Sequence, residues 1–150
     1  MQRRSSGELV IYTIGYGGRS RAKFLELLNR YKIDILVDVR RWPNSKVVDF
    51  KQHLMEEWLK DASIKYVWLG SKLGGFRKGG YEKYMAEAEF REGVKELLEA
   101  ATQNRVCLMC LEVSPKGCHR RYIAKYLNKL GVRVRHIISG EKVVDEAQLT

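Results

Sequence analysis

A chain of 150 residues, 45% hydrophobic and 31% charged, has the apolar content to bury one core and is too apolar to be disordered. Lys and Arg number 28 against 18 Asp and Glu, and the net charge of +10 favours anionic partners over cationic ones. Three Cys, an odd number confined to positions 107 to 118, exclude a disulfide framework, and no apolar run reaches the roughly 18 residues of a membrane span.

The basic start, "MQRRSSGELV", carries no apolar targeting stretch, so a cytoplasmic protein without membrane contact is expected. With no repeat or linker, residues 1–150 read as a single domain whose core spans about 10–138. "LVIYTIG" (9–15) is a short apolar run ending in glycine, the pattern of a buried strand. Ser20 then suits a helix N-cap, with Phe24, Leu27, Leu28 and Tyr31 at helical spacing behind it. "IDILVDVR" (33–40) is a second strand, and 49–62 a helix with Leu54, Met55, Trp58 and Leu59 on one face. A third strand, 64–70, leads into a loop rich in Gly and Lys. Residues 90–103 form a helix through Phe90, Val94, Leu97, Leu98 and Ala101. "RVCLMCL" (105–111) is the fourth strand. A helix over 118–131 turns Tyr122, Ile123, Tyr126, Leu127 and Leu130 inward, with Gly131 ending it. "VRVRHII" (132–138) alternates apolar and basic residues, as a strand near an edge does, and the tail has room for one more short strand.

Strand and helix in alternation imply an α/β fold: a doubly wound, mostly parallel, five-stranded sheet, Rossmann-like, in the order 3-2-1-4-5, with helices on both faces. Ligands of such sheets sit at the carboxyl ends of the strands, beside the switch point, here expected between strands 1 and 4. The chemistry-bearing residues fall at those ends. Tyr16 follows strand 1, Asp38 and Arg40 close strand 2, Gly74 and Gly75 follow strand 3, and Cys110, Glu112, Cys118, His119 and Arg120 follow strand 4.

A thiol at a helix start, as Cys118 is placed, gains thiolate character from the free N–H groups there. Cys110 and Cys118 are therefore nucleophile candidates. Glu112 and His119 are the acid–base candidates, and Arg120 and Arg40 the anion-binding ones. Tyr16, Asp38, Gly74 and Gly75 complete the expected binding surface. The blander alternatives are a small core residue for each Cys, a structural ion pair for Glu112, and an Asp38–Arg40 pair that only neutralises a buried charge. Cys110, Cys118 and His119 also form a possible zinc set, the minor alternative to a cofactor-free site, although all three come from one loop.

The segments "YTIGYGGRS", "LVDVRRWP", "LGGFRKGGYEKYM" and "VCLMCLEVSPKGCHRRYIAKYL" together resemble the domain-of-unknown-function family 488, over about residues 10–137. The spacing Cys-x-Glu-x5-Cys-His-Arg, here Cys110 to Arg120, is its most specific signature, and the LVDVR strand its second. The loop after strand 3 is short here, whereas many relatives insert more residues. The resemblance implies a compact α/β domain with a site made of these same residues, and no reaction.

The expectation that results is an enzyme, with hydrolase or transferase favoured, acting on an anionic small molecule or nucleic acid. Thiol-based phosphoryl transfer fits poorly. Its Cys-x5-Arg spacing counted from Cys110 lands on Lys116, four residues short of Arg120. The competing classes are a nucleic-acid-binding module without catalysis, drawn from the charge and the basic fifth strand, and a metal- or redox-sensing domain.

Overall fold

The computed structural model describes residues 8–117 and 119–149. Along the chain run β1 (Val10–Gly15), α1 (Arg21–Arg30), β2 (Ile35–Asp38), α2 (Gln52–Asp61), β3 (Lys65–Trp68) and α3 (Gly70–Leu73). There follow α4 (Tyr81–Tyr84), α5 (Ala88–Ala101), β4 (Val106–Cys110), α6 (Arg120–Lys129), β5 (Arg133–Ile137) and β6 (Val143–Asp145). One turn of 3-10 helix precedes α2 and another, Glu146–Gln148, follows β6.

The sheet has six strands in the order β3-β2-β4-β1-β5-β6, all parallel except β6, which pairs antiparallel with β5. The expected α/β class with a mostly parallel sheet holds. The expected order 3-2-1-4-5 is corrected: β4 lies between β2 and β1 and pairs with both. Both β1 and β4 are continuous apolar runs, buried on two faces, and either reads as a central strand. Burial cannot rank two such neighbours. The sixth strand is the short tail strand, which puts β5 one place in from the edge.

Alternate residues of the strands feed two cores. Tyr12, Ile14, Leu36, Cys107 and Met109 pack against α1 and α2 through Phe24, Leu28, Met55 and Leu59. Ile11, Val37, Leu108 and Cys110 pack against α5 and α6 through Phe90, Leu97, Ile123 and Leu127. Each such side chain contributes roughly 1.5–3 kcal/mol by leaving water. Ser20 caps α1 as expected, its hydroxyl accepting from the Lys23 amide. Leu130, expected inside, is exposed because α6 stops at Lys129.

The topology positions the site. β1 and β4 are neighbours, yet β1 leads to α1 on one face and β4 to α6 on the other. The chain therefore opens a crevice at their carboxyl ends. The two strand ends stay zipped beyond the sheet, with the amides of Tyr16 and Gly17 donating to the carbonyls of Cys110 and Leu111 at 3.0 and 2.8 Å. Gly15 allows this approach, since a Cβ there would stand 1.8 Å from the Glu112 carbonyl oxygen.

Candidate active site

A cleft of about 230 Å3 opens at this edge, lined by Tyr16, Arg40, Cys110, Glu112 and His119 together with Arg41, Trp42, Asn44, Gly75, Phe76 and Leu111. Six of the residues singled out in the sequence thus share one cavity. Cys118 lies outside the described residues. Among the described residues no group of three His, Cys, Asp or Glu side chains is arranged to hold a metal ion.

His119 stands at the start of α6, and its Nε2 is 3.0 Å from the Val39 carbonyl oxygen. A carbonyl only accepts, so Nε2 carries the proton, and in the neutral ring Nδ1 is the bare acceptor. Nδ1 lies on the Gly75 side, where a Cβ would come within 3.1 Å, and among the described residues it has no hydrogen-bond partner. The Tyr81 ring packs on the imidazole at 5.3 Å between centroids, and its hydroxyl donates to the Leu73 carbonyl at 2.7 Å. The base candidate is held from two sides. Across the cleft, the Glu112 side chain is exposed, and among the described residues nothing bonds its carboxyl group. Cys110, in the same lining, is buried, its thiol 3.8 Å from the Glu112 carbonyl oxygen. Cys107 faces the opposite core, where burial pushes its thiol up despite the charge of Arg120. That is the behaviour of a structural cysteine.

Arg40 touches the cleft but is already engaged. Its Nε and a terminal nitrogen donate to the two Asp38 oxygens at 2.9 and 2.8 Å, and its other terminal nitrogen donates to the Phe50 and Asn44 carbonyls at 2.8 and 3.2 Å. Burial opposes the Arg40 charge, and Asp38 outweighs it, so the guanidinium is held above its ordinary range. Tyr66 completes the cluster by donating to Asp38 at 2.5 Å. Burial and then that carboxylate push its hydroxyl far up. Asp38 is fully buried and lines no part of the cleft. Gly74 also misses it, lying against Arg41. The basic loop after β3 is pinned by Arg77, which donates to the Gly74 and Ser71 carbonyls at 2.8 and 2.6 Å and lies 3.9 Å over the Tyr84 ring.

Arg120, expected to grip a substrate anion, is 0% exposed and lines no part of the cleft. One terminal nitrogen donates to the Glu112, Val113 and Ser114 carbonyls at 2.7, 3.1 and 2.7 Å. The other donates to Thr13 Oγ1 at 3.0 Å. Thr13 in turn stands 2.6 Å from His136 Nδ1, and His136 Nε2 stands 2.8 Å from Glu146 Oε1. All four side chains are buried. The proton directions are mutually consistent for a neutral His136. Arg120 donates to Thr13, Thr13 to Nδ1, and Nε2–H to Glu146. This chain runs from the tail of the fold to the backbone that presents Glu112. Sequence reading missed it because Thr13 and His136 become neighbours only through the β1–β5 register.

Burial lowers the His136 pKa, Glu146 opposes that, and the charge of Arg120 adds to it, with a smaller opposing influence from Asp145. With the folded value below the unfolded one of about 6.5, the unfolded chain binds the extra proton. The stability that His136 contributes is thus present above about pH 6.5 and is lost as the pH falls toward its lower folded pKa. Urea unfolding at pH 7.5 and 5.5 is expected to show a larger acid loss in the wild type than in His136→Gln, and equal losses would remove this role.

No curated protein and no solved structure matches the chain. The family model described as Domain of unknown function DUF488 matches residues 20–127. That span covers α1 through most of α6 and holds Asp38, Arg40, Gly75, Cys110, Glu112, His119 and Arg120, leaving Tyr16 and Thr13 outside it. Matched over more than half its length, with the Cys-x-Glu and Cys-His-Arg positions inside the match, the chain belongs to the DUF488 family.

Proposed function

We propose that the protein is an enzyme of general acid–base type acting on an anionic, phosphorylated or nucleotide-like ligand in the cleft, by hydrolysis or group transfer. The observation that carries this reading is the state of His119. One ring nitrogen is fixed on the Val39 carbonyl, and the other, an acceptor in the neutral ring, belongs to a cavity whose lining includes Glu112, a carboxyl that nothing bonds among the described residues. In this reading His119 Nδ1 takes the proton of an attacking water or hydroxyl and, as imidazolium, returns it to the leaving oxygen, while the Glu112 carboxylate orients the attacking group. Cys110, with its thiol against a carbonyl, walls the cleft. The net charge of +10 supports an anionic ligand by raising its local concentration.

The test is turnover of a panel of nucleotides, phosphomonoesters and phosphodiesters, followed by chromatography of the products. His119→Ala and Glu112→Gln are each expected to cut kcat about 100- to 10,000-fold. Glu112→Gln should unfold within about 0.5 kcal/mol of the wild type, whereas His119→Ala, which gives up the Val39 hydrogen bond and the Tyr81 contact, should cost about 1–3 kcal/mol and still fold. Turnover that survives both substitutions, or no turnover of any panel member, sinks the reading.

A further inference from the structure

We propose that the exposed Trp42–Phe76 pair at the mouth of the cleft is a stacking seat for a nucleobase, so that the ligand is a nucleobase bearing phosphate. The proposal deepens the reading above and rests on its anionic ligand. Trp42 is 61% exposed and Phe76 82%, although rings of that size normally go inside. They come from different loops, one after β2 and one after α3, and meet with centroids 5.3 Å apart at 42°.

The Phe76 backbone sits at φ +59°, a left-handed conformation that is unfavourable for a bulky residue. Arg41 holds it there, donating to the Phe76 carbonyl at 2.5 Å while its guanidinium lies 5.2 Å from the Trp42 ring centre. The fold therefore holds a strained backbone and keeps two aromatic faces in water, both at the same cavity mouth. Bases stack on such faces without regard to sequence.

The remaining features narrow the ligand. The cleft, about 230 Å3, is smaller than the roughly 300–1,000 Å3 of sites for drug-sized molecules, so it takes one ring system with the rest of the ligand outside. Asn44 in its lining is a side-chain type that pairs with base edges. The Asn44 Oδ1 accepts from Lys51 Nζ at 2.9 Å, which leaves its amide nitrogen as the donor. A sugar or an aromatic amino acid would stack as well, but neither makes use of the surplus of ten positive charges or of Arg41 beside the rings.

Calorimetric titration with the four ribonucleoside 5′-monophosphates, ribose 5-phosphate and a single-stranded hexanucleotide tests this. A base-bearing ligand is expected to bind at least tenfold more tightly than ribose 5-phosphate. Trp42→Ala and Phe76→Ala should each weaken it by about 5- to 100-fold, while ribose 5-phosphate is indifferent to both. Trp42→Phe should retain binding within a few fold, and circular dichroism confirms that these surface variants fold. A hexanucleotide that binds more tightly than every mononucleotide, with a steep salt dependence, makes the source single-stranded nucleic acid. Equal affinities make it a free nucleotide. Equal binding of ribose 5-phosphate, indifference to Trp42→Ala, or no binding of any base overturns the seat. His119-dependent turnover of another phosphorylated compound would in that event leave the acid–base reading standing. Trp42-dependent binding with no turnover would do the opposite.

Discussion

An Arg120→Met chain is expected to lose about 3–5 kcal/mol of unfolding free energy, together with most of any activity that depends on Glu112. The stability loss follows from what the guanidinium touches. Three carbonyls of the Glu112–Ser114 loop lose their shared donor, and Thr13 loses the donor that sets its proton direction. Glu146 and His136, fully inside, lose the positive end of their chain. Each buried polar group left unpaired costs about 1–3 kcal/mol, and methionine refills only the volume. Thr13→Val breaks the same chain at one link while keeping its shape, so its expected cost is smaller, about 1–3 kcal/mol. Urea denaturation of the three chains at neutral pH separates two roles. If Arg120→Met keeps wild-type stability but loses its ligand, the arginine is a ligand group after all. If stability falls and Thr13→Val follows in part, it is a positioning residue that shapes the loop from below.

Arg120 also marks the limit of what could be read from residue order. The carboxyl-edge cluster was legible because a parallel α/β sheet sends every strand's exit to one side, and Tyr16, Arg40, Cys110, Glu112 and His119 do meet in one cleft. Which of them face the ligand was not legible. Arg40 and Arg120 have the chemistry of anion binders, but their terminal nitrogens donate to Asp38, to Thr13 and to backbone carbonyls that come near only in three dimensions. The position of β4 was lost for a related reason, since two strands with the same all-buried pattern carry no mark of which sits beside β2. The Trp42–Phe76 mouth joins loops 34 residues apart in sequence. Its local sign was an exposed tryptophan beside Pro43 in a stretch with no regular element to bury it.

Asp38→Ala is the second change of large expected effect, and it asks whether the LVDVR segment serves the ligand or the scaffold. Asp38 accepts from the Arg40 amide, from two guanidinium nitrogens and from the Tyr66 hydroxyl, all with no access to water of its own. Removing it leaves a buried cation with only neutral acceptors, at a cost of about 3–5 kcal/mol. For a domain of this length that corresponds to a fall in Tm of roughly 10 °C. The loss should reach the cleft, because the same guanidinium holds the Asn44 and Phe50 carbonyls and thereby the loop that carries Trp42. The double change Asp38→Ala with Arg40→Met removes both charges and is expected to be milder than Asp38→Ala alone, since no unpaired cation remains. A coupling of that sign, measured by thermal unfolding of the two single variants and the double, makes the pair a scaffold device that aims the Trp42 loop. Independent, additive losses would instead return Arg40 to the ligand, as a cation whose partner lies in the cleft and not in the strand.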